Sequence, residues 1–232
     1  MEYKYIKVAI AAGRMNLTLA RPEKRNAFTP TMVNEIAHAL EFAHNENDVR
    51  VVVLRAEGPV FCAGMDLKVF ENPDLDDRNP AIENRNISLG EVFDNFHKPI
   101  FAIVKGNVIA GAFLMICGCT YVYCDRSVQF KLPELALGIF PFQVLASLLK
   151  ILPEKKVLQL CLETDYFDAQ KAKDLSIVDG FLEDTDVEAK IQSLVTSNPI
   201  ALMAGIQALR KLSAVPRDKQ YEYLKTVLDT LR

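Results

Sequence analysis

Three short stretches carry residue types that could do chemistry together. In VQFKLPELALGIFP, residues 128–141, one carboxylate, Glu134, stands among leucines, an isoleucine, phenylalanines and prolines. Taking a charged carboxylate out of water is costly or forces its pKa upward, so a glutamate in such company is either turned out to solvent or held for use. The other two stretches, FCAGMDL (residues 61–67) and KGNVIAGA (residues 105–112), are small-residue turns, each lying between a strand pattern and a helix start. Such turns let the backbone approach a ligand and present N–H groups at the carboxyl end of a strand. Two N–H groups facing one oxygen form an oxyanion hole.

The elements that must hold these turns follow from periodicity. Residues 5–10 alternate with Ile6, Val8 and Ile10 on one face, and residues 15–19 alternate again after Gly13, which predicts a hairpin. Thr29-Pro30 is a cap and first-turn signal, and Val33, Ile36, Ala37, Leu40 and Ala43 recur at helical spacing, which predicts a helix over 30–45. The β-branched run at 49–54 marks a strand covered on both faces. Residues 99–104 read as a strand, 110–117 as a helix and 121–124 as extended chain, an order that argues for an α/β fold built from crossover units. Residues 72–86 are polar, contain two prolines and bury little, so they are expected to form an exposed, mobile loop of the kind that gates sites. Beyond residue 142 strand signals fade apart from one near Ile177, and helical patterns over 201–212 and 218–231 predict a helical layer or small helical subdomain.

Composition narrows the function classes. A chain of 232 residues that is 50% hydrophobic can bury one core of ordinary size. The net charge of -3 comes from 27 basic and 30 acidic residues without a basic stripe, which argues against a nucleic-acid partner. Cys62, Cys117, Cys119, Cys124 and Cys161 form no CxxC pair and read as reduced core thiols. No signal peptide or membrane-span pattern is visible, so a soluble cytoplasmic protein is the expectation. His38 and His44 fall on the first long helix and His97 before Lys98-Pro99; with no serine or cysteine in a nucleophile turn, a hydrolase triad is not supported. Cys62, although beside a small-residue turn, reads as a packing residue.

RPEKRNAF (residues 21–28), FCAGMDL, KGNVIAGA and FKLPELALGIFP (residues 130–141) resemble, in order and spacing, the motifs of the crotonase superfamily, the enoyl-CoA hydratase/isomerase fold. The resemblance implies an α/β, ClpP-like fold of repeated β-β-α units, with a core domain over 1–195 and a C-terminal helical region over 196–232 that drives assembly into homotrimers or hexamers. It also implies a bound acyl-CoA thioester and no cofactor or metal beyond the coenzyme A of the substrate. By the same resemblance, the backbone N–H groups of Met65 and Gly111 would hold the thioester oxygen as an enolate forms. Lys24, Arg25 and Ala27, with Ala63, Asp66 and Leu67, fall where such proteins hold the CoA nucleotide and pantetheine; the other reading of Lys24 and Arg25 is a solvated charged turn. Glu134 stands where the family has its acid-base glutamate, a role its apolar neighbours suit by raising its pKa. The other reading is a glutamate that caps or salt-bridges a helix.

Two departures from the family pattern bear on the reaction. Family hydratases resemble one another in orienting a water with two glutamates, and the second position is held here by Leu114; a further acid found in some members, eight positions after the first glutamate, is Phe142. A single carboxylate suffices to move a double bond from the 3 to the 2 position of an acyl thioester, and a dry pocket formed by Leu114, Leu132, Phe140 and Phe142 would help. PELALGIFPF is also similar to the bulky apolar stretch of the family's isomerases, so enoyl-CoA isomerisation is the leading expectation. The alternatives are an enoyl-CoA hydratase or an acyl-carrier-protein thioester dehydratase using Glu134 alone, and a non-catalytic acyl-CoA-binding subunit. Family members usually continue with a further helix over the acyl pocket; the present sequence stops at Arg232, which would leave the pocket more open or mean a shortened chain.

Overall fold

The structure, a computed structural model, describes residues 2–231. The chain opens with the hairpin that the alternation predicts: β1 (Ile6–Ala11) pairs antiparallel with β2 (Arg14–Leu19). Ala12 and Gly13 between them both take positive φ, 50° and 79°, as a tight two-residue hairpin requires. α1 (Pro30–Asn45) begins where Thr29-Pro30 places it, the Thr29 hydroxyl accepting from Met32 N–H at 3.2 Å.

From here the chain repeats one pattern. β3 (Val51–Ala56) leads into a short strand, β4 (Val60–Cys62), and α2 (Leu67–Glu71); after α3 (Leu89–Asp94) the same order recurs in β5 (Ile100–Val104), β6 (Asn107–Ile109) and α4 (Phe113–Ile116), then in β7 (Tyr121–Cys124), β8 (Gln129–Lys131) and α5 (Phe142–Leu148). The chain continues through α6 (Glu154–Leu162), β9 (Phe167–Asp168), α7 (Ala169–Asp174), β10 (Gly180–Phe181), α8 (Val187–Val195), α9 (Pro199–Leu212) and α10 (Gln220–Asp229). The first strand of each unit enters a six-stranded sheet ordered β1-β2-β3-β5-β7-β10, parallel throughout except for the hairpin. The second enters a smaller sheet ordered β4-β6-β8-β9, in which β4, β6 and β8 run parallel. This second sheet is absent from the sequence reading, because strands of three residues are too short to show alternation. Gly106 marks where the chain crosses from one sheet to the other: a Cβ there would lie 2.6 Å from Pro59 O and 2.7 Å from Phe61 N, so only glycine lets β6 enter beside β4.

The β-branched run predicted to be covered on both faces is so covered. Val52 and Leu54 of β3 join the main core with α1, whereas Val51 and Val53 pack with Phe101, Ile103 and Tyr123 in a second cluster closed by Ile191 of α8. Packing is sparse at the C-terminus: Ala208 is the buried residue of α9, and α10 buries none.

The polar stretch 72–86 differs from its expectation. Most of it is exposed, but it is fastened to α1 rather than loose. Asp76 accepts hydrogen bonds from the Thr31 N–H at 2.9 Å and hydroxyl at 2.8 Å, and Asn34 donates to Asn84 at 2.9 Å. Asn79 donates at 2.7 Å to Glu35, a fully buried carboxylate that also accepts from the Lys4 and Tyr5 N–H groups at 2.7 and 2.8 Å. Polar side chains that bury themselves by pairing leave no hydrophobic signature, which is why the pattern reads as free loop. Replacing Glu35 by alanine strands three donors in the interior, so Glu35→Ala is expected to cost about 3 kcal/mol in urea unfolding and to expose 72–86 to limited proteolysis; a cost below about 1 kcal/mol would mean the anchor is not needed.

Candidate active site

β4, β6 and β8 are neighbours in that order and point the same way, so their carboxyl ends lie side by side at about the 4.8 Å spacing of sheet strands. Each runs straight into one of the three stretches singled out from the sequence. Met65 lies three residues beyond β4, Gly111 two beyond β6 and Glu134 three beyond β8. The edge of the smaller sheet therefore assembles the site.

The first two turns touch. Gly64 takes φ 87°, and a Cβ on it would meet the Ala110 Cβ at 2.7 Å and Gly111 N at 3.1 Å. Ala110 itself adopts φ 54°, a left-handed conformation that costs a non-glycine residue of order 1 kcal/mol or more. Phe28 joins Met65 in a parallel bridge: its N–H donates to Gly64 O at 2.8 Å, and Asp66 N–H donates to Phe28 O at 2.9 Å. In that geometry the Met65 N–H points away from Phe28, on the side where Gly111 lies, for a Cβ placed on Gly111 would be 3.8 Å from Met65 N. The same Cβ would strike the Phe28 ring at 2.9 Å, so the ring and the two glycines seat the turns against each other.

RPEKRNAF is locked beneath this assembly. Arg25 and Asn26 both take φ 52°, held there because the buried Asn26 amide donates to Glu57 O at 2.8 Å and Val60 O at 2.9 Å and accepts from Arg21 N–H at 2.9 Å. Arg21 pairs with Asp66 at 2.7 Å, donates to Ala27 O at 2.8 Å and lies 5.1 Å over the Tyr5 ring. Burial acts to raise the Asp66 pKa, but the hydrogen bonds from Arg21 and from α2 N–H groups hold it below the usual carboxylate range. Arg21, Asn26 and Phe28 belong to a motif the sequence reading quoted without giving them a role; their signal is only their place in that motif. Lys24 and Arg25 are exposed and form no ion pair among the described residues. With Ala27, Ala63, Met65, Asp66 and Leu67 they line a cleft of about 670 Å³, which Ile109, Pro133 and Leu137 also border.

Glu134 opens a short 3-10 turn closed by Gly138 at φ 77°. It is only 7% exposed, and its Oε2 has no hydrogen-bond partner. Burial pushes its carboxyl above the ordinary glutamate range, offset only in part by its own backbone N–H. Among the described residues, the carboxylate neither caps a helix nor pairs with a cation. Cys62 supports the first turn, its sulfur accepting from Gly64 N–H at 3.4 Å, and burial pushes its thiol up to about 12, which leaves it protonated and unreactive.

Met65 also borders a second cleft of about 480 Å³, whose apolar lining includes Phe28, Val33, Phe70 and Leu89. Glu134 and Gly111 border neither of these clefts, and neither do the four side chains expected to form a dry pocket, Leu114, Leu132, Phe140 and Phe142. Leu114 is in the core, 3.4 Å from where a Gly90 Cβ would be, and Phe142 is 74% exposed on α5 with its ring 5.8 Å from that of Phe140. Among the described residues, no cluster of histidine, cysteine and carboxylate side chains is placed to hold a metal ion, and no helix is long and apolar enough to cross a membrane.

The sequence profile of the enoyl-CoA hydratase/isomerase family matches residues 9–228. The chain belongs to that family. It is 27% identical to the hydroxycinnamoyl-CoA hydratase-lyase of Pseudomonas fluorescens, over 99% of this chain and 87% of that one. To the 2,3-dehydroadipyl-CoA hydratase of Escherichia coli K12 it is 30% identical, over 86% of this chain and 79% of the relative. The fold is shared with an enoyl-CoA hydratase/isomerase from Marinobacter aquaeolei, TM-score 0.86 at 21% identity over 98% and 90% of the two chains. An enoyl-CoA hydratase from Shewanella pealeana gives TM-score 0.86 at 24% identity, covering 100% and 89%. The β-β-α units and the order of the two sheets are thus those of the crotonase superfamily, and the protein is an acyl-CoA-processing enzyme of this family.

Gly64, at positive φ and pressed against Ala110 and Gly111, has no room for a side chain. Gly64→Ala puts a methyl group between the two turns at a backbone angle that L-residues avoid, and turnover of an acyl-CoA substrate should fall about 10²-fold or more, with circular dichroism unchanged. Glu134→Gln, by removing a buried charge without a partner, should raise stability by about 1 kcal/mol at neutral pH. The sign follows from linkage: the raised folded-state pKa means that ionising Glu134 destabilises the fold as pH rises through and above its ordinary range, and the amide abolishes that loss. Equal urea midpoints for the two proteins at neutral pH would show that Glu134 is not desolvated.

Proposed function

We propose that the protein moves the double bond of an unsaturated acyl-CoA from the 3 to the 2 position, with Glu134 as the sole acid-base group. The observation that carries this reading is the buried, unpartnered Glu134 Oε2 at the end of β8, beside the turns that follow β4 and β6. Glu134 takes a proton from carbon 2 of the 3-enoyl thioester. The electron pair left behind spreads through the double bond onto the thioester oxygen, which the Met65 and Gly111 N–H groups receive. The protonated Glu134 then delivers the same proton to carbon 4, and the double bond closes between carbons 2 and 3. Proton and charge balance without a second group.

The surroundings support a single carboxylate. Leu114, where a second glutamate would stand, is buried among apolar side chains, and no acidic residue lines the cleft beyond Met65. Of the acidic residues on the larger cleft, Asp66 is bound to Arg21 and Glu23 is exposed. Lys24 and Arg25, free and exposed at that cleft, suit the phosphates of CoA, and Ala27, Ala63 and Leu67 give it a narrow apolar wall for pantetheine. No cofactor enters beyond the CoA of the substrate. Ile200 and Leu209 of α9 and Tyr221 and Leu228 of α10 stay exposed, which supports assembly into homotrimers or hexamers.

The names of the relatives, a hydratase-lyase and a hydratase among them, favour a second reading in which Glu134 alone activates a water for addition to carbon 3. Assays of wild type and Glu134→Gln with matched 3-enoyl-CoA and 2-enoyl-CoA substrates separate the two. Isomerisation is expected in wild type and should fall about 10²-fold or more in the variant, with acyl-CoA still bound. Because the base acts ionised, kcat/KM should rise with pH through an apparent pKa above that of an ordinary glutamate. Hydration without isomerisation, lost in the same variant, would establish the second reading; binding with neither reaction would make the protein a non-catalytic acyl-CoA-binding subunit.

A further inference from the structure

The second cleft that Met65 borders is lined by apolar and polar side chains. Phe28, Phe70 and Leu89 are among its apolar lining residues, and Asn84, Arg85, Asn86, Ser88 and Gln143 are among its polar ones. Most of the hydrogen-bonding capacity left on these five side chains is for donation. Asn84 Oδ1 is taken by Asn34, and Gln143 Oε1 is taken by the Ser88 hydroxyl at 3.2 Å. One Arg85 nitrogen donates to Glu41 at 2.7 Å. What remains without a partner among the described residues is the amide N–H of Asn84 and Gln143, the whole Asn86 amide and the rest of the Arg85 guanidinium. No aspartate or glutamate lines the cleft to use these donors.

We propose that this cleft receives an acyl group whose far end carries an oxygen acceptor, a carboxylate or carbonyl, and that Asn86 and Gln143 are the residues that select it. The inference rests on the reading that Met65 and Gly111 hold the thioester. A plain alkyl chain entering here displaces water from four sets of donors and returns nothing to them, whereas an acceptor replaces the water. Arg85, half neutralised by Glu41, adds a positive field in the same cleft.

Isothermal titration with saturated, unreactive thioesters tests this without turnover: straight-chain acyl-CoAs ending in methyl, each paired with the acyl-CoA of equal length ending in carboxylate. In wild type the carboxylate member of at least one pair is expected to bind about tenfold tighter, the effect of one hydrogen bond to a charged group. In Asn86→Leu/Gln143→Leu, two exposed positions whose replacement leaves the core intact, the ratio should approach one. Equal or tighter binding of the methyl-ended chains at every length, or a preference that survives in the double variant, overturns the proposal while leaving the acyl-CoA reading in place. If no acyl-CoA binds, the acyl-CoA reading fails and this inference falls with it.

Discussion

The backbone of Gly64 lies so close to Ala110 and Gly111 that only a hydrogen atom fits between the two turns. That contact constrains the rest of the site. It requires the strands leading into the turns to be parallel neighbours, which β4 and β6 are, and it requires β6 to leave the large sheet abruptly, which Gly106 permits by allowing contact with Pro59 and Phe61. It also requires a lateral support for the first turn. Phe28 supplies one by bridging to Met65, and Phe28 is itself positioned by the left-handed Arg25-Asn26 pair and the buried Arg21–Asp66 ion pair. The left-handed conformation of Ala110 fits the same picture: strain is tolerated where surrounding contacts over-determine the backbone.

Two carboxylates near the carboxyl ends of strands in one small sheet show how environment assigns roles. Asp66, two residues after Gly64, is paired with Arg21 and caps α2, so it stays ionised and serves the fold. Glu134 has no such partner, and burial makes its proton easier to keep. The first arrangement stabilises the protein; the second costs stability and leaves a carboxyl that keeps its proton to higher pH than an ordinary glutamate.

Much of the fold and of the site was legible in the sequence. The hairpin, α1, the buried strand at 49–54 and the small-residue turns after strands all announced themselves through period, cap residues or glycine placement, and the resemblance carried by four ordered motifs named the family that the profile match establishes. The three-residue strands were not legible, because they are shorter than any period. Nor was the anchoring of 72–86, which depends on Glu35, Asp76 and Asn79 finding partners far along the chain.

What the sequence by itself determined is the set of local units: which residues turn, which extend, which coil, and which chemical groups lie at each turn. Those outcomes depend on backbone sterics and hydrophobic period, which act over a few residues. Only the tertiary structure decided that three turns separated by dozens of residues share one sheet edge, that Glu134 faces inward without a partner while Asp66 is claimed by Arg21, and that Leu114 and Phe142 lie off the clefts. The physical reason is that strand order, desolvation and ion pairing are set by neighbours across the fold, and no property of a residue or its sequence neighbours specifies which of two carboxylates will meet a cation.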